Sequence, residues 1–252
     1  MKSLDGLSIN LATVREQFTL AQAVDACVKQ GIRAVAPWRD QVAAAGLTEA
    51  VAMVRANGLR VTGLCRGGMF PAADVAGRAA AIEDNRRAID EACALDADCL
   101  VLVVGGLAEG SKDIAAARRM VEDGIGVILE QARASGMKLA IEPLHPMYAA
   151  DRACINTLEQ ALDVCDALGD GLGVAVDVYH VWWDPKLAQQ IARAGKRIFA
   201  HHICDWLVPT RDLLLDRGMM GDGVIDLRGI RRMVEAAGYA GPQEVEIFSA
   251  QN

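Results

Sequence analysis

Four short apolar runs in the second half of the chain each end in, or carry near their end, a side chain able to hold a metal ion. Lys138–Ile141 stops at Glu142 and is broken by Pro143. Gly173–Asp177 reads GVAVD and is followed by Tyr179, His180, Trp182 and Trp183. Phe199–Asp205 reads FAHHICD, and Val245–Phe248 carries Glu246. A carboxylate that closes a buried strand is costly unless a cation or hydrogen bonds receive it. Glu142, Asp177, His202 and Glu246 are therefore candidate ligands, three carboxylates and one imidazole. An oxygen-rich set of this kind suits Mn2+, Mg2+ or Co2+ better than structural zinc, which draws thiolates. It leaves coordination positions for a bidentate substrate such as a hydroxy-ketone.

Other reactive side chains cluster around the same strand ends. His201 and His202 are adjacent and point to opposite faces of one strand, so only one of them can be a ligand. Glu244 shares a face with Glu246 but sits deeper, as a supporting carboxylate or a paired core charge. His180, three residues past Asp177, is placed to hold a substrate hydroxyl or a ligand carboxylate. His145, three residues past Glu142, is a candidate general base. Arg211 lies in the loop that ends Gly221-Asp222-Gly223, where it would bind a substrate oxyanion or hydroxyl, or pair with Asp212 or Asp216. Trp38, Trp182, Trp183 and Trp206 all follow strand ends, and flat rings there would pack against a sugar or an aglycone.

The elements that must position these residues alternate along the chain. Strands are expected at Leu7–Asn10, Ile32–Ala36, Arg60–Cys65, Cys99–Val104, Lys138–Glu142, Gly173–Asp177, Ile198–Ile203 and Glu244–Phe248. Helices are expected at Thr19–Gln30, Thr48–Asn57, Val75–Ala94, Ile114–Ser135, Asn156–Leu168, Pro185–Ala194 and Asp226–Ala237. Thr19 and Asp184 read as caps, Pro185 as a first helical residue, and Gly31, Gly58, Gly136 and Gly238 as stops. The strands are apolar throughout, as when helices cover a sheet. Eight βα units at roughly 30-residue spacing predict an α/β fold of the (β/α)8 TIM-barrel type, with the eighth helix short or absent. No GxGxxG follows the first strand, which argues against a dinucleotide-binding open sheet. The candidate ligands then fall on neighbouring strands at the C-terminal rim, where barrel enzymes place their chemistry.

Composition bounds the function classes. The chain has 252 residues, 52% of them hydrophobic, which suits a single barrel domain over residues 1–252. A formal net charge of -7 argues against a nucleic-acid surface. Seven Cys show no CxxC and no regular spacing, so reduced thiols in a cytoplasmic protein are expected. MKSLDGLSIN has no apolar targeting core, and no run reaches the roughly 18 apolar residues of a membrane span.

Several motifs match in order and spacing over essentially the whole chain. They are Ile141-Glu142-Pro143-Leu144, Asp177-Val178-Tyr179-His180, His202-Ile203-Cys204-Asp205, the segment Gly221 to Asp226, and Val245-Glu246-Ile247-Phe248. On these the chain resembles the xylose isomerase-like barrel superfamily of sugar isomerases and epimerases. The resemblance implies one divalent ion, Mn2+ foremost, on Glu142, Asp177, His202 and Glu246, and so selects His202 over His201. It also implies substrate contacts from His180 and Arg211. His145 and Tyr148 stand where ketose 3-epimerases carry Asn and Glu. In that respect the chain is similar to the catalytic subunit of enzymes that cleave 3-keto C-glycosides, which implies a hetero-oligomer with a small β-rich subunit as the alternative to a homo-oligomer.

Both resemblances imply proton abstraction α to a polarised carbonyl, through an enediolate. In the isomerase or epimerase version, Glu142 and Glu246 are the acid–base pair on a keto sugar. In the lyase version, His145 takes the proton and the aglycone leaves by β-elimination. A barrel that keeps the fold without catalysis is the reading from a different class, and the complete ligand set argues against it.

Overall fold

The structure, a computed structural model, describes residues 4–250. Its strands are β1 (Leu7–Asn10), β2 (Ala34–Ala36), β3 (Arg60–Val61), β4 (Leu64–Gly68), β5 (Leu100–Val103), β6 (Leu139–Ile141), β7 (Leu172–Asp177), β8 (Ile198–Ile203), β9 (Asp205–Trp206), β10 (Arg217–Gly218) and β11 (Gln243–Val245). Nine of them form one parallel sheet in the order β3-β2-β1-β11-β8-β7-β6-β5-β4, and β9 pairs with β10 in an antiparallel hairpin. The two ends of the large sheet, β3 and β4, are halves of the single expected strand Arg60–Cys65, parted at Thr62–Gly63. Backbone bonds bring those ends together. Thr62 N–H donates to Val35 O at 3.0 Å, Leu64 N–H to Cys99 O at 3.0 Å, and Cys65 N–H to Pro37 O at 3.1 Å. The sheet is thus a barrel of the (β/α)8 type, with its third position shared by β3 and β4.

The helices are α1 (Leu20–Lys29), α2 (Arg39–Ala45), α3 (Leu47–Ala56), α4 (Val75–Ala94), α5 (Ile114–Ser135), α6 (Leu158–Leu168), α7 (Val178–Val181), α8 (Leu187–Ala194) and α9 (Leu227–Ala236). Local chemistry sets their limits. Thr19 caps α1 with a full capping box to Gln22, and Asp74, Asp113 and Asp226 cap α4, α5 and α9. Gly136 ends α5 in the left-handed conformation, φ 74°. The short helices α2 and α7 were not expected; α7 begins directly at the end of β7, and α2 follows β2 after Pro37 and Trp38. Among the described residues no helix follows β11.

Side-chain alternation divides the sheet into an outer shell and a lumen. Outward residues such as Leu139, Ile141, Val174 and Val176 pack with helix residues including Ile125, Ile128 and Leu162. Inward residues are small. Cys65, Cys99, Val101, Ala140, Ala175 and Ala200 form a separate cluster inside the barrel. Ala140, Ala175 and Ala200 each lie two residues before Glu142, Asp177 and His202, so a floor of alanines supports the functional layer. Bulkier residues at those steps would fill the space that the longer polar side chains use.

Candidate metal centre

Each candidate ligand is anchored by its strand. Glu142 follows β6 and donates its N–H to Leu102 O at 3.0 Å. Asp177 closes β7, and its Oδ1 accepts the Tyr179 N–H at 2.8 Å at the start of α7. His202 lies within β8, and Glu246 follows β11 with its N–H on Ile203 O at 3.1 Å. One ligand-capable atom from each of the four lies within 4.8 Å of all the others, and all four residues are buried.

Carboxylates lie on both sides of the imidazole. His202 Nδ1 lies 2.9 Å from Glu142 Oε1 and 3.8 Å from Glu246 Oε2, while Nε2 lies 3.3 Å from Glu244 Oε1. Glu244 is held in turn by Asn10 Nδ2 at 2.8 Å and by the Thr62 hydroxyl at 2.6 Å. A carboxylate behind one ring nitrogen keeps the other free to face an ion. His201 turns the opposite way, into the shell, edge-on to Tyr239 with ring centres 6.2 Å apart. Glu244 thus lies behind His202, tied to Asn10 and Thr62.

A second buried cation completes the cluster, and it is Arg217. Its Nη1 donates to Asp177 Oδ2 at 3.1 Å and to Glu246 Oε2 at 3.0 Å. The guanidinium sits between the rings of Tyr179 and Phe248, at 4.3 and 4.8 Å from their centres. A built loop delivers it. Buried Asp205 accepts the N–H groups of Trp206, Gly221 and Ile225 at 2.9 to 3.0 Å, and Arg217 N–H donates to Phe248 O at 3.0 Å. Nothing local in Asp216-Arg217-Gly218 marks this role; the only sequence signal is a cation shortly before Gly221-Asp222-Gly223.

Charge counting tests whether the site suits a cation. Glu142, Asp177, Glu244 and Glu246 are four buried carboxylates, and His202 and Arg217 are the buried groups able to offset them. Even with both charged, two negative charges stay uncompensated. His180 does not help, because burial and then the Arg217 charge hold its imidazole well below its ordinary value. Burial pushes the Asp177 carboxyl up to about 6 against the pull of Arg217, and raises Glu246 against His202 and Arg217. Burial pulls the His202 imidazole down, but Glu244, then Glu142 and Glu246, hold it well above its ordinary value. One divalent cation would supply the missing charge, and the oxygen-rich donor set suits it.

The cluster opens into a cavity of about 600 Å³ that Trp38, Glu142, His180, Arg217, Glu246 and Phe248 help to line. His180 Nδ1 accepts the His145 N–H at 3.2 Å, and its Nε2 lies 3.2 Å from Arg217 Nη2. Trp38 is set by its indole N–H on Asn10 Oδ1 at 2.7 Å. The other expected residues are not brought to this wall. The His145 ring packs between Trp183 and Trp206, with centres 5.5 and 5.3 Å away, and its Nδ1 accepts the Met147 N–H at 3.3 Å. Arg211 pairs with Asp216 on the surface, one of the two partners foreseen for it. Trp182 packs on Trp206, and the Trp183 indole donates to His180 O at 2.8 Å. A cavity of about 680 Å³ beside α1 and α2 has no metal-capable set among the described residues.

Known proteins resemble this chain in the same terms. The sequence model of the family described as "Xylose isomerase-like TIM barrel" matches residues 24–252. A crystal structure of protein SMc04130 from Sinorhizobium meliloti 1021 is 72% identical, with a TM-score of 0.98 over 99% of this chain and 91% of that one. A structure of IOLI protein with a bound zinc atom has a TM-score of 0.84 at 21% identity, covering 98% of this chain and 90% of that one, a likeness of fold. An inosose isomerase of Halalkalibacterium halodurans is 29% identical over 128 residues, 47% of this chain and 42% of that protein, so the match spans less than half of either.

Proposed function

The chain belongs to the xylose isomerase-like TIM barrel family, and from that premise we propose that it is a divalent-metal-dependent isomerase or epimerase acting on a keto sugar. The observation that carries this reading is the set Glu142, Asp177, His202 and Glu246, buried together with two negative charges uncompensated and open to a cavity of sugar size. A Mn2+ held there would act as a Lewis acid on a ketone and its neighbouring hydroxyl and lower the energy of the enediolate.

The protein's own groups supply the rest. Glu142 and Glu246, both on the cavity wall, form the acid–base pair: one takes the proton α to the ketone and the other returns a proton at another face or carbon. Arg217, fixed between two rings and two carboxylates, donates Nη hydrogens to the oxygen on which charge develops. His180, neutral through burial, holds a substrate hydroxyl once its Nε2 exchanges Arg217 Nη2 for the substrate. Trp38 and Phe248, edge to face at 5.7 Å, give an apolar wall for the ring carbons. Similarity to an inosose isomerase over part of the chain supports isomerase chemistry. The lyase alternative needs His145 as base, and His145 lies off the cavity wall with Nδ1 engaged by Met147.

The test is α-proton exchange in D2O, followed by NMR on free ketoses with the Mn2+-loaded protein. Deuterium should enter a ketose as an epimer or aldose appears, and chelation should stop both. Exchange that survives complete removal of metal would overturn the reading.

A further inference from the structure

The sugar class can be narrowed by the cations on the cavity wall. Four arginines line it: Arg15, Arg66, Arg152 and Arg217. Three have an acid within ion-pair distance. Arg15 donates to Asp40 at 2.6 Å, Arg152 lies 3.7 Å from Asp151, and Arg217 holds Asp177 and Glu246. Arg66 makes no hydrogen bond or ion pair among the described residues, yet it is partly buried. Burial, then the nearby charge of Arg152, pulls its guanidinium below its ordinary value, against a smaller upward pull from Glu142 and Asp40.

The backbone aims Arg66 there. Cys65 pairs with Val101 and Gly67 with Leu102, so Arg66 is the extra residue of a bulge between β4 and β5. A bulge re-aims a side chain relative to the ladder. This one is clamped: buried Asn85 of α4 accepts the Gly68 N–H at 2.6 Å and donates to Gly68 O at 2.7 Å. Gly68 has φ 107°, and a Cβ there would lie 2.0 Å from Val103 O. Gly67 is pressed less closely, its Cβ position 2.8 Å from Asn85 Oδ1. The tight packing of two glycines and a buried Asn fixes the backbone from which Arg66 lines both the main cavity and an adjoining one of about 360 Å³.

We propose that Arg66 binds an oxyanion of the substrate, so that the pocket takes a keto sugar carrying a carboxylate or a phosphate rather than a neutral ketose. A planar guanidinium with free donors matches either group bidentately. The proposal rests on the same cavity being the substrate site, but its test needs no turnover. The full chain, 15N-labelled at arginine and in Mg2+ buffer, is titrated with D-fructose, D-fructose 6-phosphate and 5-keto-D-gluconate. The Arg66 Nε–H resonance should shift saturably with one or both anions, with a Kd about 10–100-fold below that of D-fructose. A stronger response to the phosphate names a sugar phosphate, and a stronger response to the keto acid names a sugar acid. R66Q should remove the advantage, and R66K, which keeps the charge but not the fork, should restore part of it. Equal affinity for all three ligands, or an anion preference that persists in folded R66Q, would overturn the proposal. A failure of α-proton exchange alone would count against the isomerase reading and leave this binding result intact.

Discussion

The shell and the lumen of this barrel are made by the same strands and obey opposite rules. Leu139 and Ile141 face outward into an aliphatic layer, while Ala140 and Glu142 face inward, and the four are consecutive. In the shell, large side chains remove apolar area from water, and each contributes stability roughly in proportion to that area. In the lumen, alanines leave room, and four buried carboxylates face two cations. The lumen thus stores an electrostatic deficit that the shell has to offset. A barrel can hold a reactive cluster because stability and chemistry occupy opposite faces of one strand, separated by a single residue.

The comparison breaks most severely at Glu246. E246Q should reduce α-proton exchange by about 10²–10⁴-fold, the usual share of a positioned acid–base group. The same change lowers the cluster's excess of buried negative charge and leaves Arg217 paired with Asp177, so the metal-free variant should melt no lower than the parent. A large drop in its melting temperature would show that the carboxylate is structural.

The counterpart in the shell is Leu139, fully buried three residues from Glu142. L139A should cost about 2–5 kcal/mol in urea unfolding, from lost transfer energy and the cavity left behind. Its metal affinity at low temperature should match the parent. A variant that keeps its stability and loses the ion would merge the two regions and refute the division.

Glu244 probes the layer between them. E244Q removes the carboxylate at His202 Nε2, and metal affinity should fall about 10–100-fold in a calorimetric titration. An unchanged affinity would mean that the strand alone sets the ring.

The smallest effect belongs on the outer surface. Arg39 bridges Asp84 and Glu91, and its hydrogen bond holds the Asp84 carboxyl below its ordinary value of about 3.8. A folded-state value below the unfolded one gives stability that is present above that ordinary value and lost as the pH falls through the depressed one. Because Asp84 is about half exposed, R39M should cost less than about 1 kcal/mol at pH 7, and the difference should fade in acid. A constant difference across that range would assign the effect to packing of the arginine stem.

Most of the scaffold is legible in the sequence, because it rests on local signals. Apolar runs bounded by caps and glycines mark strands and helices, and Glu142, Asp177 and Glu246 stand out as acids at apolar strand ends. The division between His201 and His202 follows from alternation once the register is known. What depends on a loop's path is not legible. Arg217 reaches the cluster because Asp205 gathers three backbone N–H groups, and Arg211, equally plausible by position, goes to Asp216 instead. His145 has the right spacing from Glu142, but Pro146 starts a short 3-10 turn whose N–H group takes up the ring nitrogen. Arg66 falls just past the expected strand Arg60–Cys65, whereas β4 runs on to Gly68, and its direction comes from one extra residue in the β4–β5 ladder.

The most direct test of the account is metal content by elemental analysis after equilibration with Mn2+ and desalting. The parent should retain one Mn2+ per chain, and D177N and H202A should retain almost none while keeping the parent's far-ultraviolet circular dichroism. Full retention in both variants, or no ion in the parent at saturating Mn2+, would contradict a metal centre built from Glu142, Asp177, His202 and Glu246.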